Sequence, residues 1–252
     1  MDDLFFFNLL ILLMLISALI VFIVLIFISA PYGKLVNDKW GPVINNKLGW
    51  FLMEVPTIII YVFFYIIGTN SAQLVPFVFL SLWLLHYVQR TLIFPFLIRG
   101  DNKMPITIMI FGIIFNSGNA YLQSRWINTF STQYSPEWLL TPFFIIGFIL
   151  FIIGFFVNLQ SDHIIRKLRQ QGENEHKIPF GGLYSWISCP NYLSEITEWS
   201  AWALMTFSLS GLTFAIWTFA NLAPRALSTH KWYIDTFPNY PSNRKALIPF
   251  LI

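Results

Sequence analysis

Charge and cysteine are what this chain has least of. Only 11% of its 252 residues are acidic or basic, and Cys189 is its single cysteine. One thiol excludes an intramolecular disulfide, and the four histidines (86, 163, 176 and 230) form no pair at metal-ligand spacing, so no metal site is expected. A Gly-x-Gly-x-x-Gly turn and a P-loop are both missing, which excludes the Rossmann and Walker modes of holding a nucleotide. There is no repeat of fixed period, no low-complexity linker and no charged tail. Neither a nucleic-acid partner nor an obligate protein partner is expected.

Apolar residues dominate instead: 56% are hydrophobic and the mean hydropathy is +0.65, so lipid is the solvent expected for most of the chain. The run Leu4–Ala30 is longer than the roughly 20 residues that cross a hydrocarbon core. Further spans are expected at Trp50–Gly68, Leu74–Ile98, Pro105–Leu122, Trp138–Leu159, Tyr192–Leu209 and Gly211–Ala223. Seven transmembrane helices use nearly all of the sequence, which predicts one all-α integral membrane domain over residues 1–252. The first run is not expected to be a cleaved signal, because it opens Met1-Asp2-Asp3 without a basic segment and is too long. Basic residues recur in alternate loops: Lys34, Lys39 and Lys47, then Arg99 and Lys103, then Arg166, Lys167, Arg169 and Lys177, then Lys231, Arg244 and Lys245 in the tail. The positive-inside rule therefore puts the N-terminus outside and the C-terminus in the cytoplasm, as an odd number of spans requires. A bacterial inner membrane and the endoplasmic reticulum both suit that orientation, and membrane lipids are the expected surroundings.

Against this background each polar cluster is a site candidate, since a charge inside a bilayer costs at least a few kcal/mol. Asn158, Asp162, Arg166 and Arg169 follow helical spacing and share a face, with Asp162–Arg166 expected as an ion pair at the helix exit. After Pro179, Gly181 and Gly182, the stretch from Cys189 to Trp199 starts a helix at Pro190 and lines Asn191, Glu195 and Glu198 along one side. The last cluster pairs Asn221 with Arg225 and His230 with Tyr233, followed by Tyr240 and Arg244. Arginine forks bind phosphate oxygens and aromatic rings stack on planar bases, so these three clusters predict a cytoplasmic pocket for a phosphorylated cofactor. Within the early spans, Glu54 stands among Phe51, Leu52, Met53 and Val55, and His86-Tyr87 with Arg90-Thr91 interrupts the third. An acid so desolvated is expected to stay protonated. Beside a Tyr hydroxyl it makes a donor pair for a developing oxyanion, and the structural alternative is a helix–helix hydrogen bond from Glu54 to Tyr87 or His86.

From Tyr32-Gly33-Lys34 to its last residue the chain resembles the steroid 5α-reductase family. The segments that carry the resemblance are His86-Tyr87 with Arg90-Thr91, Asn158 with Ser161-Asp162, Arg166 and Leu168-Arg169, Gly181-Gly182-Leu183, and Asn191 with Glu195 and Glu198-Trp199. The ending Arg225-Ala226, His230, Tyr233, Tyr240-Pro241 and Arg244 to Phe250 is the strongest stretch. The resemblance implies a seven-helix enzyme that uses NADPH to reduce the 4,5 double bond of 3-oxo-4-ene steroids. It implies Glu54 and Tyr87 at the substrate carbonyl, with Met53 and Arg90 on the substrate side. It puts Asn158, Asp162, Arg169, Asn191, Glu195, Arg225 and Tyr233 on the cofactor, with Arg166, Tyr184, Glu198, His230, Tyr240 and Arg244 nearby and Arg99 and Asn119 as further matches. Two departures stand out: Met53 replaces the glutamine that usually precedes the family's glutamate, and Thr229-His230 replaces a common histidine pair.

The chemistry implied is hydride transfer to C5, with Tyr87 and protonated Glu54 stabilising charge on the C3 oxygen. A lipophilic steroid is expected to reach the site from the bilayer, and the loops around Lys34–Lys47 and Glu173–Pro179 are candidate lids. A sterol or enoyl reductase would differ only at the substrate end. A methyltransferase using S-adenosylmethionine would have no use for the arginines or for Glu54 with Tyr87. A transporter would need polar residues through the outer half, which the sequence leads one to expect almost bare of them.

Overall fold

A computed structural model describes residues 2–28, 40–99, 103–168 and 176–252. Its elements in chain order are α1 (Asp3–Phe27), β1 (Val43–Asn45), α2 (Asn46–Ile66), α3 (Leu74–Val88), α4 (Phe94–Leu97), β2 (Lys103–Pro105), α5 (Ile106–Arg125), α6 (Pro142–Lys167), α7 (Pro190–Thr206) and α8 (Leu209–Thr236). A π turn at Gln89–Ile93 joins α3 to α4, so the two form one rod and the described residues hold seven rods. Pro95 is the physical cause of that turn: it has no N–H to give the Thr91 carbonyl and its ring crowds that oxygen, so the ladder shifts register.

Four of the rods, Asp3–Phe27, Asn46–Ile66, Leu74–Leu97 and Pro142–Lys167, are long and apolar enough to cross a membrane. Their large apolar side chains are widely exposed, from Leu12 and Leu19 on α1 to Ile149 and Phe156 on α6. Such a surface marks a protein whose solvent is lipid. In α5, buried Asn116, Asn119, Gln123 and Ser124 turn polarity inward and lower the apolar average without touching lipid.

Element ends differ from expectation where caps decide them. Helix α2 starts at Asn46 rather than Trp50, because the Asn45 side chain accepts from the Lys47 and Leu48 N–H groups. Helix α6 starts at Pro142, not Trp138, since Pro136–Leu140 is a separate 3-10 turn and the Thr141 side chain caps the new helix. Helix α8 continues to Thr236 with Pro224 inside it, well past the expected end at Ala223. The fold is also not purely helical: β1 pairs antiparallel with β2, Ile44 opposite Met104. A parallel bridge from Ile187 to Lys245 holds the C-terminal tail beside the segment before α7.

The core is aromatic. Trp83 lies 4.7 Å from Tyr61, 4.5 Å from Tyr87 and 5.4 Å from Trp202 between ring centroids, and its indole N–H donates to the Thr57 carbonyl. Helix α6 packs along α7, α2 along α5, and α1 lies outermost against α8, where the Trp217 indole donates to Ser17. The end of the bundle around Gln123 is not bare of polar groups. Gln123 donates to Asn119 and to the Ser210 carbonyl and accepts from Trp202, and Tyr134, Gln133 and Trp138 donate to the carbonyls of Met205 and Thr206. These amides, hydroxyls and indoles tie one helix end to another, and an ion pair between Arg125 and Asp3 adds α1 to the same end.

Candidate active site

Helix α2 carries Glu54 inward two residues before Pro56, and both Glu54 and Tyr87 are buried. The sequence points to Tyr87 or His86 as the partner of Glu54; the partner observed is Asn116 on α5. The Asn116 Nδ2 donates to Glu54 Oε2 at 3.2 Å and to the Met53 carbonyl at 2.7 Å. The Met53 side chain lies against Gly112, where an added Cβ would come within 2.2 Å of its Cγ. Tyr87 is held by its ring, which stacks on Trp199 at 5.6 Å, and its hydroxyl makes no hydrogen bond among the described residues.

His86 pairs with Glu198 instead, Nδ1 to Oε1 at 2.7 Å, with both side chains buried and Trp199 edge-on to the imidazole at 4.6 Å. Arg90, carried inward by the π turn, is the hub of the next layer. It reaches Asp162 at 3.1 Å and Glu195 at 2.9 Å, and its guanidinium lies over the rings of Trp50 at 4.7 Å and Phe94 at 4.5 Å. Asp162 is therefore tied to Arg90 across the bundle, whereas Arg166, its expected partner, meets the His163 imidazole one turn back. A phosphate would gain little from Arg90, because two carboxylates already share its guanidinium. Asn158 donates to the Asn191 carbonyl and to Ser194, joining α6 to α7 at the start of the Glu195–Glu198 face.

The third cluster forms where α8 meets the tail. Tyr233 and Tyr240 stack at 5.2 Å, and Ser188 bridges His230 Nδ1 and the Tyr240 hydroxyl at 2.6 Å each. Burial, together with the Lys245 charge, holds the His230 imidazole below its usual range. Arg225 lies over the Tyr192 ring at 5.3 Å. Arg244 is 3% exposed, lies over Phe180 at 4.7 Å and Tyr240 at 5.3 Å, and its Nε and Nη1 are buried without a hydrogen-bond partner among the described residues. The Tyr184 hydroxyl is likewise buried and unpartnered among them. Buried donors of this kind are costly unless a ligand accepts from them, and an anionic oxygen is the matching chemistry. Gly181, at φ +94°, makes the turn that leads Tyr184 into this layer.

The fold thus gathers Met53, Glu54, Tyr87, Arg90, Asn158, Asp162, Asn191, Glu195 and Glu198 in one buried tract. It gathers Tyr184, His230, Tyr233, Tyr240 and Arg244 in another, and Arg225 extends from α8 to Tyr192. Asn119 belongs to the Gln123 network, Arg99 is exposed, and Arg169 lies outside the described residues, as do residues 34–39 and 173–175 of the two candidate lid loops. Asn116, Ser188 and Phe180 are the additions that sequence reasoning missed. Asn116 is visible as a polar break in an apolar helix, three residues from Asn119; the other two have no signal in the sequence.

The sequence profile described as 3-oxo-5-alpha-steroid 4-dehydrogenase matches residues 102–252. The chain is 40% identical to the steroid 5-alpha-reductase DET2 of Gossypium hirsutum over 241 residues, 94% of this chain and 93% of that one. It is 38% identical to the 3-oxo-5-alpha-steroid 4-dehydrogenase 1 of Mus musculus over 237 residues, 93% of this chain and 92% of that one. The 3-oxo-5-alpha-steroid 4-dehydrogenase 1 of Homo sapiens matches at 39% over 227 residues, covering 88% of this chain and 86% of that one.

Proposed function

The chain belongs to the 3-oxo-5-alpha-steroid 4-dehydrogenase family, and on that footing we propose that it reduces the 4,5 double bond of 3-oxo-4-ene steroids with NADPH. It is an oxidoreductase, and its family's reaction calls for a nicotinamide cofactor. The observation that carries the catalytic reading is a pair of polar groups at the buried end of the first tract, Glu54 and Tyr87. Neither Glu54 Oε1 nor the Tyr87 hydroxyl makes a hydrogen bond among the described residues.

NADPH, held by the arginine and tyrosine tract, would supply the hydride for C5 of the enone. Glu54, protonated in its apolar setting, and Tyr87 donate hydrogen bonds to the C3 oxygen. Those bonds strengthen as negative charge gathers there, so the transition state gains more than the ketone. C4 of the resulting enolate then gains one proton, directly from solvent, or by protonation on oxygen followed by tautomerisation of the enol. Trp83 and Trp199 wall the apolar side of Tyr87, at 4.5 and 5.6 Å from its ring.

Asn158, Asp162, Arg169, Asn191, Glu195, Arg225 and Tyr233 are the proposed cofactor contacts, with Arg166, Tyr184, Glu198, His230 and Tyr240 near it. The unpartnered buried nitrogens of Arg244 suit a phosphate, and an arginine there would favour NADPH over NADH. Asp162 and Glu195 already neutralise Arg90, so their remaining lone pairs suit hydroxyl and amide donors. All seven rods are proposed to span the membrane, α8 with its stretch Gly211–Ala223 in the bilayer and the turns that carry Arg225, His230 and Tyr233 beyond it, with the N-terminus outside and the cofactor tract open to the cytoplasm. The steroid arrives from the bilayer. Purified protein given progesterone with NADPH or NADH tests this: a 5α-reduced product formed preferentially with NADPH is expected. NADPH binding without steroid turnover would transfer the activity to another lipid enone.

A further inference from the structure

Asn116 makes two hydrogen bonds from one nitrogen, and together they restrict where the proton of Glu54 can be. Its Nδ2 donates to the Met53 carbonyl at 2.7 Å and to Glu54 Oε2 at 3.2 Å. A backbone carbonyl can only accept, so the Met53 bond fixes which end of the amide is nitrogen. Oε2 therefore faces a donor and must accept. In a protonated carboxyl group the carbonyl oxygen is by far the better acceptor, which favours the carbonyl at Oε2 and the hydroxyl on Oε1. Oε1 is the oxygen with no hydrogen bond to any described residue.

The surroundings keep this arrangement in place. Met53 packs into the space left by Gly112, one turn before Asn116, so α2 and α5 approach closely at this level. Asn116 is 6% exposed and Glu54 7%, so water does not compete for either bond. Without a partner, the terminal torsion of a Glu side chain is broad and roughly two-fold, and its proton can occupy either oxygen.

We propose that Asn116 is a positioning residue that holds the Glu54 carboxyl in one rotamer with its proton on Oε1, ready to donate to the substrate carbonyl. This rests on Glu54 being the acid at that carbonyl. The test compares Asn116→Leu and Asn116→Asp with the parent protein, alone and combined with Glu54→Gln. It measures kcat and KM for progesterone, NADPH affinity, and the infrared carbonyl stretch that Glu54→Gln abolishes. Expected are a kcat loss of about tenfold, the scale of one hydrogen bond, little change in KM or NADPH affinity, and no further loss when Glu54→Gln is already present. The Glu54 carbonyl stretch should move to higher frequency in Asn116→Leu, because the bond to Oε2 is gone. A kcat within about twofold of the parent would overturn the proposal, being well short of one hydrogen bond. So would a loss that persists in full in the Glu54→Gln background, or a loss of NADPH binding in both variants, which would make Asn116 a packing residue. Full activity in Glu54→Gln itself would instead remove the reading of Glu54 on which the proposal rests.

Discussion

At the residue scale, Glu54 and Tyr87 each bring a donor to the proposed carbonyl site without a competing partner there. Glu54→Gln and Tyr87→Phe should therefore each lower kcat by about 10²–10³, as removal of one oxyanion donor does, while equilibrium binding of NADPH stays unchanged. His230 supplies a pH signature. Its pKa lies below the ordinary value of 6.5 because the ring is buried and near Lys245. Its contribution to stability is thus complete above that value and is lost as pH falls through the lower folded-state pKa. Thermal midpoints measured from about pH 7.5 to 5, the range in which histidine titrates, should fall, and fall less in His230→Gln. An identical decline in both proteins would assign the acid sensitivity elsewhere. Glu54 and Tyr87 are recognisable from sequence because polar groups inside apolar helices need a reason. Their neighbours are not, since helical spacing tells which residues share a face and not what that face meets. Asp162 illustrates this: its own helix offers Arg166, yet the π turn brings Arg90 from across the bundle to 3.1 Å.

At the element scale, long apolar runs predict all seven rods, but local chemistry sets their ends. Asn45 and Thr141 act as caps that shift two starts, and α8 runs on through Pro224 because its inner face stays buried as far as Tyr233. The three-residue strands β1 and β2 leave no periodic trace to read. The contact between α6 and α7 also depends on glycines whose role is invisible without a neighbour. An added Cβ on Gly154 would lie 2.9 Å from the Ser194 carbonyl oxygen, and one on Gly147 would lie 2.5 Å from the Met205 Cγ. Small residues let membrane helices approach where no hydrophobic force draws them together. Gly154→Val should push α6 from α7 at the level of Glu198 and break the Asn158–Ser194 bond. NADPH affinity and thermal stability in detergent should both fall. Preservation of both would show that the α6–α7 contact can open without consequence for the site.

On the scale of the whole molecule, hydropathy correctly announces a helical protein in lipid and misjudges its far end. The Gln123 network cannot be foreseen, because amides and hydroxyls scattered over several helices register as noise in a one-dimensional profile. In three dimensions they converge, bonding helix ends together at the opposite pole from Arg166, Arg225 and Arg244. The result is a bundle with a clasp of amides, hydroxyls and the Arg125–Asp3 ion pair at one end, a proposed cofactor tract at the other, and the Glu54–Tyr87 pair between them. The division of labour proposed for that pair makes one demand on the product. Purified protein should be given progesterone and NADPH carrying deuterium at the transferable C4 position of the nicotinamide, and the reduced steroid analysed by mass spectrometry and NMR. One deuterium is expected at C5, on the 5α face, with the new hydrogen at C4 drawn from solvent. Deuterium at C4, or a reduced steroid without label, would contradict hydride delivery to C5 with the charge held at the C3 oxygen.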